Sequence, residues 1–322
     1  MFSIQKNNHI SLSVIVSLLV AVSVFVFSLL IDPYYTGGDP SLYRKVYEEL
    51  VGVNLVDGYI LYSINLDSKE FVHFLLSWLA SNIGIERDFF NAVSSAILAY
   101  VAMLVFYERK ASIFIAALIV LTNLYFILLY TTTERLKIGM IFFCLSLLYR
   151  DKSIRFYAFV FLATISHTQI LILYLSMFLY KFYRELPKLL FKREVPKELL
   201  LIILLFSIPL VLVSEQISSK FTSYYAVRDL TDLVRIVLFF TLSLWYSRNK
   251  IEPIIVFSPL VIAIFFLGGE RLNMFGYFIF LYYALPVRKG FNVGILLALA
   301  YFLFSSVDFI TGIIEDGVPM VY

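Results

Sequence analysis

The chain has 322 residues, of which 61% are hydrophobic and only 15% are charged. A soluble domain runs at about 45–50% apolar and about 25% charged, so the composition excludes an ordinary soluble protein and points to an all-α polytopic membrane protein. The net charge of +3 gives no case for nucleic acid; where the charges lie says more than their sum. The lone Cys144 can form no internal disulfide, and His9, His73 and His167 are too scattered in the sequence to suggest a metal site.

Residues 10–31 form 22 positions without a charge, enough to cross about 30 Å of hydrocarbon. No small-x-small cleavage site follows, which reads as an uncleaved signal anchor. Residues 32–70 are polar, acidic and rich in tyrosine, as suits an outer loop. The turn signal Gly37-Gly38-Asp39-Pro40 precedes a short amphipathic helix through Leu42, Val46 and Leu50 that lies on the membrane. Residues 71–84 are apolar but short for a span and read as an outer-leaflet helix that dips in and returns. Full spans are expected over 89–106, 113–130 and 135–148. The apolar run 156–180 is interrupted by Ser166-His167-Thr168-Gln169 and reads as a re-entrant hairpin around His167. A basic inner loop, 181–198, leads to further spans near 199–214, 231–245, 253–267, 272–285 and 291–309. The chain is thus a single transmembrane domain, 1–322, of about nine full spans. This topology places most of the 26 basic residues inside, as the positive-inside rule asks, with the N-terminus cytoplasmic and the C-terminus outside.

Polar groups left on the outer rim are the candidates for chemistry. Thr131 with Glu134 three residues on reads as a capping box opening a helix. Arg135 then sits in the first turn, where a cation opposes the helix dipole; a helix N-terminus with a guanidinium is a good anion receptor. Arg271 is placed alike, after Glu270 and the flexible Gly268-Gly269. Two such termini would clamp a pyrophosphate and stabilise charge developing on it; the plainer alternative is arginines snorkelling to headgroups. Arg228 and Arg235 are further outer cations, though Arg235 also pairs by spacing with Asp232. His167 interrupts an apolar run, and ionisable groups at membrane depth are a functional signal by default. Asp39 is the best-placed outer carboxylate for a general base, or else an Asx-turn residue before Pro40; Glu134 is a second carboxylate, with a cap the more ordinary role. Tyr34, Tyr35, Tyr43, Tyr47, Tyr59 and Tyr62 suit an aromatic belt, and rings near polar groups also stack on sugars.

The order of these motifs resembles the EpsG family of polysaccharide-polymerising membrane proteins, related in role to Wzy O-antigen polymerases. Gly37-Gly38-Asp39-Pro40-Ser41-Leu42-Tyr43, then Tyr47, is similar to the family's Gly-x-Asp-Tyr-x-x-Tyr, with Pro40 in place of the first Tyr. Glu134-Arg135-Leu136-Lys137-Ile138-Gly139 resembles its Arg-Gln span opening, with Leu136 for Gln and Gly139 for Ala. Ile165-Ser166-His167-Thr168 resembles its interrupted span, and Glu270-Arg271-Leu272-Asn273-Met274-Phe275 its late arginine before an aromatic-rich span. The resemblance covers roughly residues 35–285. It implies a metal-independent and cofactor-free glycosyltransferase in a bacterial cytoplasmic membrane. Its substrate would be an undecaprenyl-pyrophosphate-linked glycan, polymerised at the outer face into O-antigen, capsule or exopolysaccharide beside a flippase and a chain-length regulator. Asp39, His167 and Glu134 would serve catalysis, Arg135, Arg271, Arg228 and Arg235 the pyrophosphate, and Tyr43, Tyr47 and Glu270 the sugars. A flippase for the same lipid-linked oligosaccharide, an O-antigen ligase, an acyltransferase and a non-enzymatic scaffold are the competing readings.

Overall fold

A computed structural model describes residues 12–149, 154–192, 230–267 and 269–319. The described chain is helical, with no strand among the described residues. Among the described residues, three stretches are long and apolar enough to cross a membrane: Leu12–Tyr34, Arg87–Glu108 and Val287–Asp316. A bent pair, Ile113–Thr122 with Leu124–Thr131, makes a fourth if taken as one span.

Helix α1 (Leu12–Ile31) buries Ser17, Ala21, Val24, Ser28 and Ile31, a stripe at helical spacing. It packs along α5 (Arg87–Glu108), whose buried residues include the small Ala92 and Ala99. Between helices in lipid there is no hydrophobic drive to associate, so small residues that let backbones approach closely decide such contacts.

The expected outer loop 32–70 is mostly helix. Helix α2 (Gly38–Glu49) takes Gly38-Asp39-Pro40 into its first turn, and α3 (Leu55–Asn65) follows. Asn54 starts α3 by accepting hydrogen bonds from the amides of Val56 and Asp57. With α4 (Phe71–Asn82) these helices enclose a small separate core of Val46, Leu50, Tyr62 and Phe74. Trp78 Nε1 donates to Val53 O at 2.8 Å and Asn82 to Leu50 O at 3.0 Å, tying α4 beneath the loop. Four of the six tyrosines expected in an aromatic belt, Tyr35, Tyr43, Tyr47 and Tyr62, are instead buried; Tyr34 remains exposed.

The expected span 113–130 is broken. Helices α6 (Ile113–Thr122) and α7 (Leu124–Thr131) meet at 54° across Asn123. Asn123 has extended backbone, and its side chain accepts from Tyr125 N, so a single polar residue caps a new helix inside an apolar run. Helix α8 (Glu134–Leu148) begins without the expected capping box. Thr133 is the N-cap residue and makes no side-chain cap, and the Thr131 hydroxyl donates to Ile127 O in α7. Its 15 residues rise only about 22 Å, short of the hydrocarbon thickness.

Helices α9 (Ile154–Ser166) and α10 (Ile170–Lys192) are separated at residues 167–169, where the sequence places the interruption. Gly139 of α8 faces this break: a Cβ there would collide with Ile170 Cδ1 and stand 3.1 Å from His167 Cβ. Overpacking such a contact costs about 1–3 kcal/mol. Gly139→Val is therefore expected to lower the thermal midpoint of detergent-purified protein, and an unchanged midpoint would show that the contact is slack.

The last helices are α11 (Leu230–Tyr246), α12 (Ile251–Leu267), α13 (Gly269–Ala284) and α14 (Val293–Asp316). Helix α14 ends on Gly317 in the left-handed region, φ 72°, and the Gly317 carbonyl accepts the amides of Thr36 and Gly37. The expected inner loop begins as helix, since α10 runs on to Lys192; residues 193–198 of that loop, the expected span 199–214 and Arg228 lie outside the described residues.

Candidate functional site

One end of α1, α5, α7, α8 and α9 converges on a set of buried charges. It is built from two joined groups, and sequence reasoning found only part of each.

The first group centres on Arg87, in the first turn of α5. Its guanidinium donates to Asp32 Oδ1 at 2.6 Å and forms a close ion pair with Glu134. Asp32, Arg87 and Glu134 are all buried. Asn91, one turn along α5, donates to Asp32 Oδ2 at 2.7 Å and to Tyr130 O at 3.2 Å. Lys137, one turn along α8 and 1% exposed, donates to the side chain of Asn91 and to Ser95 Oγ at 3.0 Å. Arg44 reaches in from α2 to Asp32 O at 3.0 Å and lies 3.7 Å from Asp88. Three carboxylates thus face three cations. Taking charges out of water is costly unless each finds a partner; Arg87 and Arg44 meet carboxylates, whereas Lys137 is held by the neutral Asn91 and Ser95.

The second group centres on Glu70, at the foot of α4. Its Oε1 stands 2.5 Å from Nδ1 of His167 and its Oε2 stands 3.2 Å from Arg135 Nη1. Ser68 Oγ donates to Oε2 at 3.0 Å. Burial alone would raise the Glu70 carboxyl; the charges of His167 and Arg135 outweigh it and hold the group well below the usual carboxylate range. Arg135 Nε donates to Tyr43 Oη at 2.9 Å, and burial pushes the Tyr43 phenol up to about 12, so it accepts as a neutral hydroxyl. His73 joins the two groups. Its Nδ1 meets Tyr62 Oη at 2.9 Å, and its Nε2 lies 3.9 Å from Glu134.

The candidates taken from sequence fall into distinct places. Arg135 and His167 meet on Glu70. The charges of Arg271 and Arg135 both act on His167, so residues far apart in the chain share one neighbourhood. Glu134 neither caps α8 nor stands free, because Arg87 holds it. Asp39 is exposed in the first turn of α2. Tyr43 and Tyr47 are buried and bonded, the latter donating to Ile85 O at 2.9 Å. Their hydroxyls hold the outer helices together, and neither ring lies open for a sugar to stack on. Glu270 is exposed and Arg235 half-buried. Near the start of α11, Asp232 accepts from Asn273 Nδ2 at 3.0 Å and packs against Gly269. The two described histidines are not scattered in space: His73 and His167 both lie near Glu70, and no group of residues fit to hold a metal is found among the described residues; His9 lies outside them.

Asp32, Glu70, Arg87 and Lys137 escaped the sequence reading. Lys137 alone carried a local signal, a lysine at helical spacing from Glu134 inside an apolar run. The other three look like ordinary loop charges until the helices close around them.

Comparison of the chain with protein-family models, with curated proteins and with solved structures returned no match. The described residues define an all-helical protein with helices long and apolar enough to cross a membrane and a buried charged centre where several helix ends meet.

Proposed function

We propose that this protein is a membrane glycosyltransferase that polymerises undecaprenyl-pyrophosphate-linked oligosaccharides at the outer face of the cytoplasmic membrane. The observation that carries it is the convergence of Arg135 and His167 on one buried carboxylate, Glu70, with Arg271 in electrostatic reach. The nine-span topology, with the charged rim outside, belongs to the same proposal.

The acceptor is a hydroxyl of a second lipid-linked glycan, which attacks the anomeric carbon of the donor. The new glycosidic C–O bond forms as the bond to the pyrophosphate breaks, and the pyrophosphate leaves with the electron pair. Arg135 and Arg271 stabilise that charge. The hydroxyl proton passes to Nε2 of His167, which at rest faces Gln169 Oε1 at 3.3 Å and has to leave it, while Glu70 stands against Nδ1. Asp39 is the alternative base, at the exposed edge of α2.

A flippase for the same lipid is the second reading. Lys137, buried in α8 on Asn91 and Ser95, favours it, because ionisable groups inside a span mark ion relays. Deletion of the gene separates the two. Loss of long polymer with single repeat units still displayed supports the polymerase; lipid-linked units accumulating inside support the flippase. Arg271→Ala, in protein shown to insert normally, is expected to reduce chain growth by roughly 10²–10³-fold, the scale of one lost charge-stabilising donor. Chains of normal length in this variant would remove Arg271 from the clamp.

A further inference from the structure

At the opposite end of α5 from the charged rim lies an apolar cavity of about 210 Å³. Leu98 and Ala102 of α5, Phe143 of α8 and Phe278 of α13 wall it, and Glu108 and Arg109 form its polar end. It exceeds the roughly 150 Å³ of engineered apolar cavities that stay dry and take up hydrocarbon guests. Arg109 lies 3.6 Å over the Tyr282 ring and donates to Tyr282 O at 2.9 Å, while its buried Nε has no acceptor among the described residues.

Cations crowd this end from separate stretches of chain. Lys110 follows Arg109; Ser112 N donates to Lys289 O at 2.8 Å, which brings the Arg288-Lys289 turn alongside; Arg155 reaches over Tyr149, next to Leu148 of the cavity wall. Lys110, Arg155, Arg288 and Lys289 are all exposed. Against them stand Glu108 and, near Tyr283, Glu252. Arg109 and Lys110 directly follow one span candidate, and Arg288 and Lys289 open another, so the cluster lies at headgroup level.

We propose that this end binds one anionic phospholipid, its phosphate held by Arg109, Arg288 and Lys289 and one acyl chain entering the cavity. Basic pockets between transmembrane helices take anionic headgroups, and a mostly apolar pocket with Glu108 and Arg109 at one end suits an acyl chain whose headgroup stays at the charged end. The inference uses the membrane assignment but not the proposed enzyme activity, since the site is remote from Glu70.

The test is native mass spectrometry and thermal unfolding of the full-length protein with added phosphatidylglycerol or phosphatidylcholine. Wild-type protein is expected to retain one phosphatidylglycerol and to bind it at least tenfold tighter than phosphatidylcholine. The doubly substituted Arg288→Gln/Lys289→Gln protein, altered only at exposed positions, is expected to lose that preference. Ala102→Leu, which narrows the cavity, should weaken binding of both lipids. Equal retention of the two lipids by the wild type, or an undiminished preference in the double variant, overturns the proposal. Displacement of phosphatidylglycerol by an equal concentration of a polyprenyl phosphate also overturns it, by making this a carrier-tail site.

Discussion

Glu70→Ala is expected to unfold much of the protein at neutral pH, or to leave it folded and inactive. Glu70 is the counter-charge of Arg135 and stands against Nδ1 of His167. Removing one partner of a buried charged set costs about 3–5 kcal/mol, because the others stay buried without compensation. Adding Arg135→Met to Glu70→Ala removes the stranded cation, so the double variant should recover part of the loss. Thermal unfolding of all four proteins in one detergent gives the coupling energy. A coupling near zero would mean that the two groups do not meet in the folded protein.

The same group has a defined pH signature. The Glu70 carboxyl is held well below the usual range when folded, so its folded pKa lies under its unfolded one. Its contribution is complete above the ordinary carboxylate range and is lost as pH falls through the depressed value. The stability difference between wild type and Glu70→Gln is therefore expected to be constant above about pH 5 and to shrink below about pH 4. A difference that shrinks between pH 8 and 6 would assign it to another group.

Arg87→Met carries the second large effect. The substitution keeps apolar bulk but leaves Asp32 and Glu134 facing each other at a buried site without their common cation. A loss of about 3–5 kcal/mol is expected, read as failure to accumulate in the membrane. Removing that repulsion with Asp32→Asn and Glu134→Gln together should return much of the yield. If the triple variant recovers folding but not polymer, the network is a scaffold that also sets the register of Arg135. If Arg87→Met alone accumulates normally, the ion network contributes little.

Much of the helical plan was legible because it is local. Apolar runs and their polar breaks gave α4 and the interruption at residues 167–169 to within a few residues. Short polar signals were available and misjudged. Asn54 starts a helix inside what reads as a loop, and Asn123 breaks what reads as one span. The Thr131–Glu134 spacing matched a capping box, yet Thr131 is the last residue of the preceding helix, so its hydroxyl bonds back within α7.

The candidate site was half legible. Arg135 and His167 stand out because they break rules of position, a cation at a helix start and an ionisable ring in an apolar run. Their partner Glu70 breaks no rule: it is an acid in an acidic stretch, and only folding of α2 to α4 over the rim buries it. Distance in sequence hid the rest, since Arg87 lies 55 residues from Asp32 and 47 from Glu134.

That spacing bears on biosynthesis. Asp32 leaves the ribosome first, Arg87 next and Glu134 last, so a lone charge must wait at the bilayer edge for a mate not yet made. An isolated carboxylate there is unfavourable, and insertion machinery would have to hold α1 in a hydrated setting until α5 arrives, then hold both for α8. Integration into lipid as a three-helix unit follows from the ion pairs themselves, and a cell short of such assistance would lose the nascent chain before it folds.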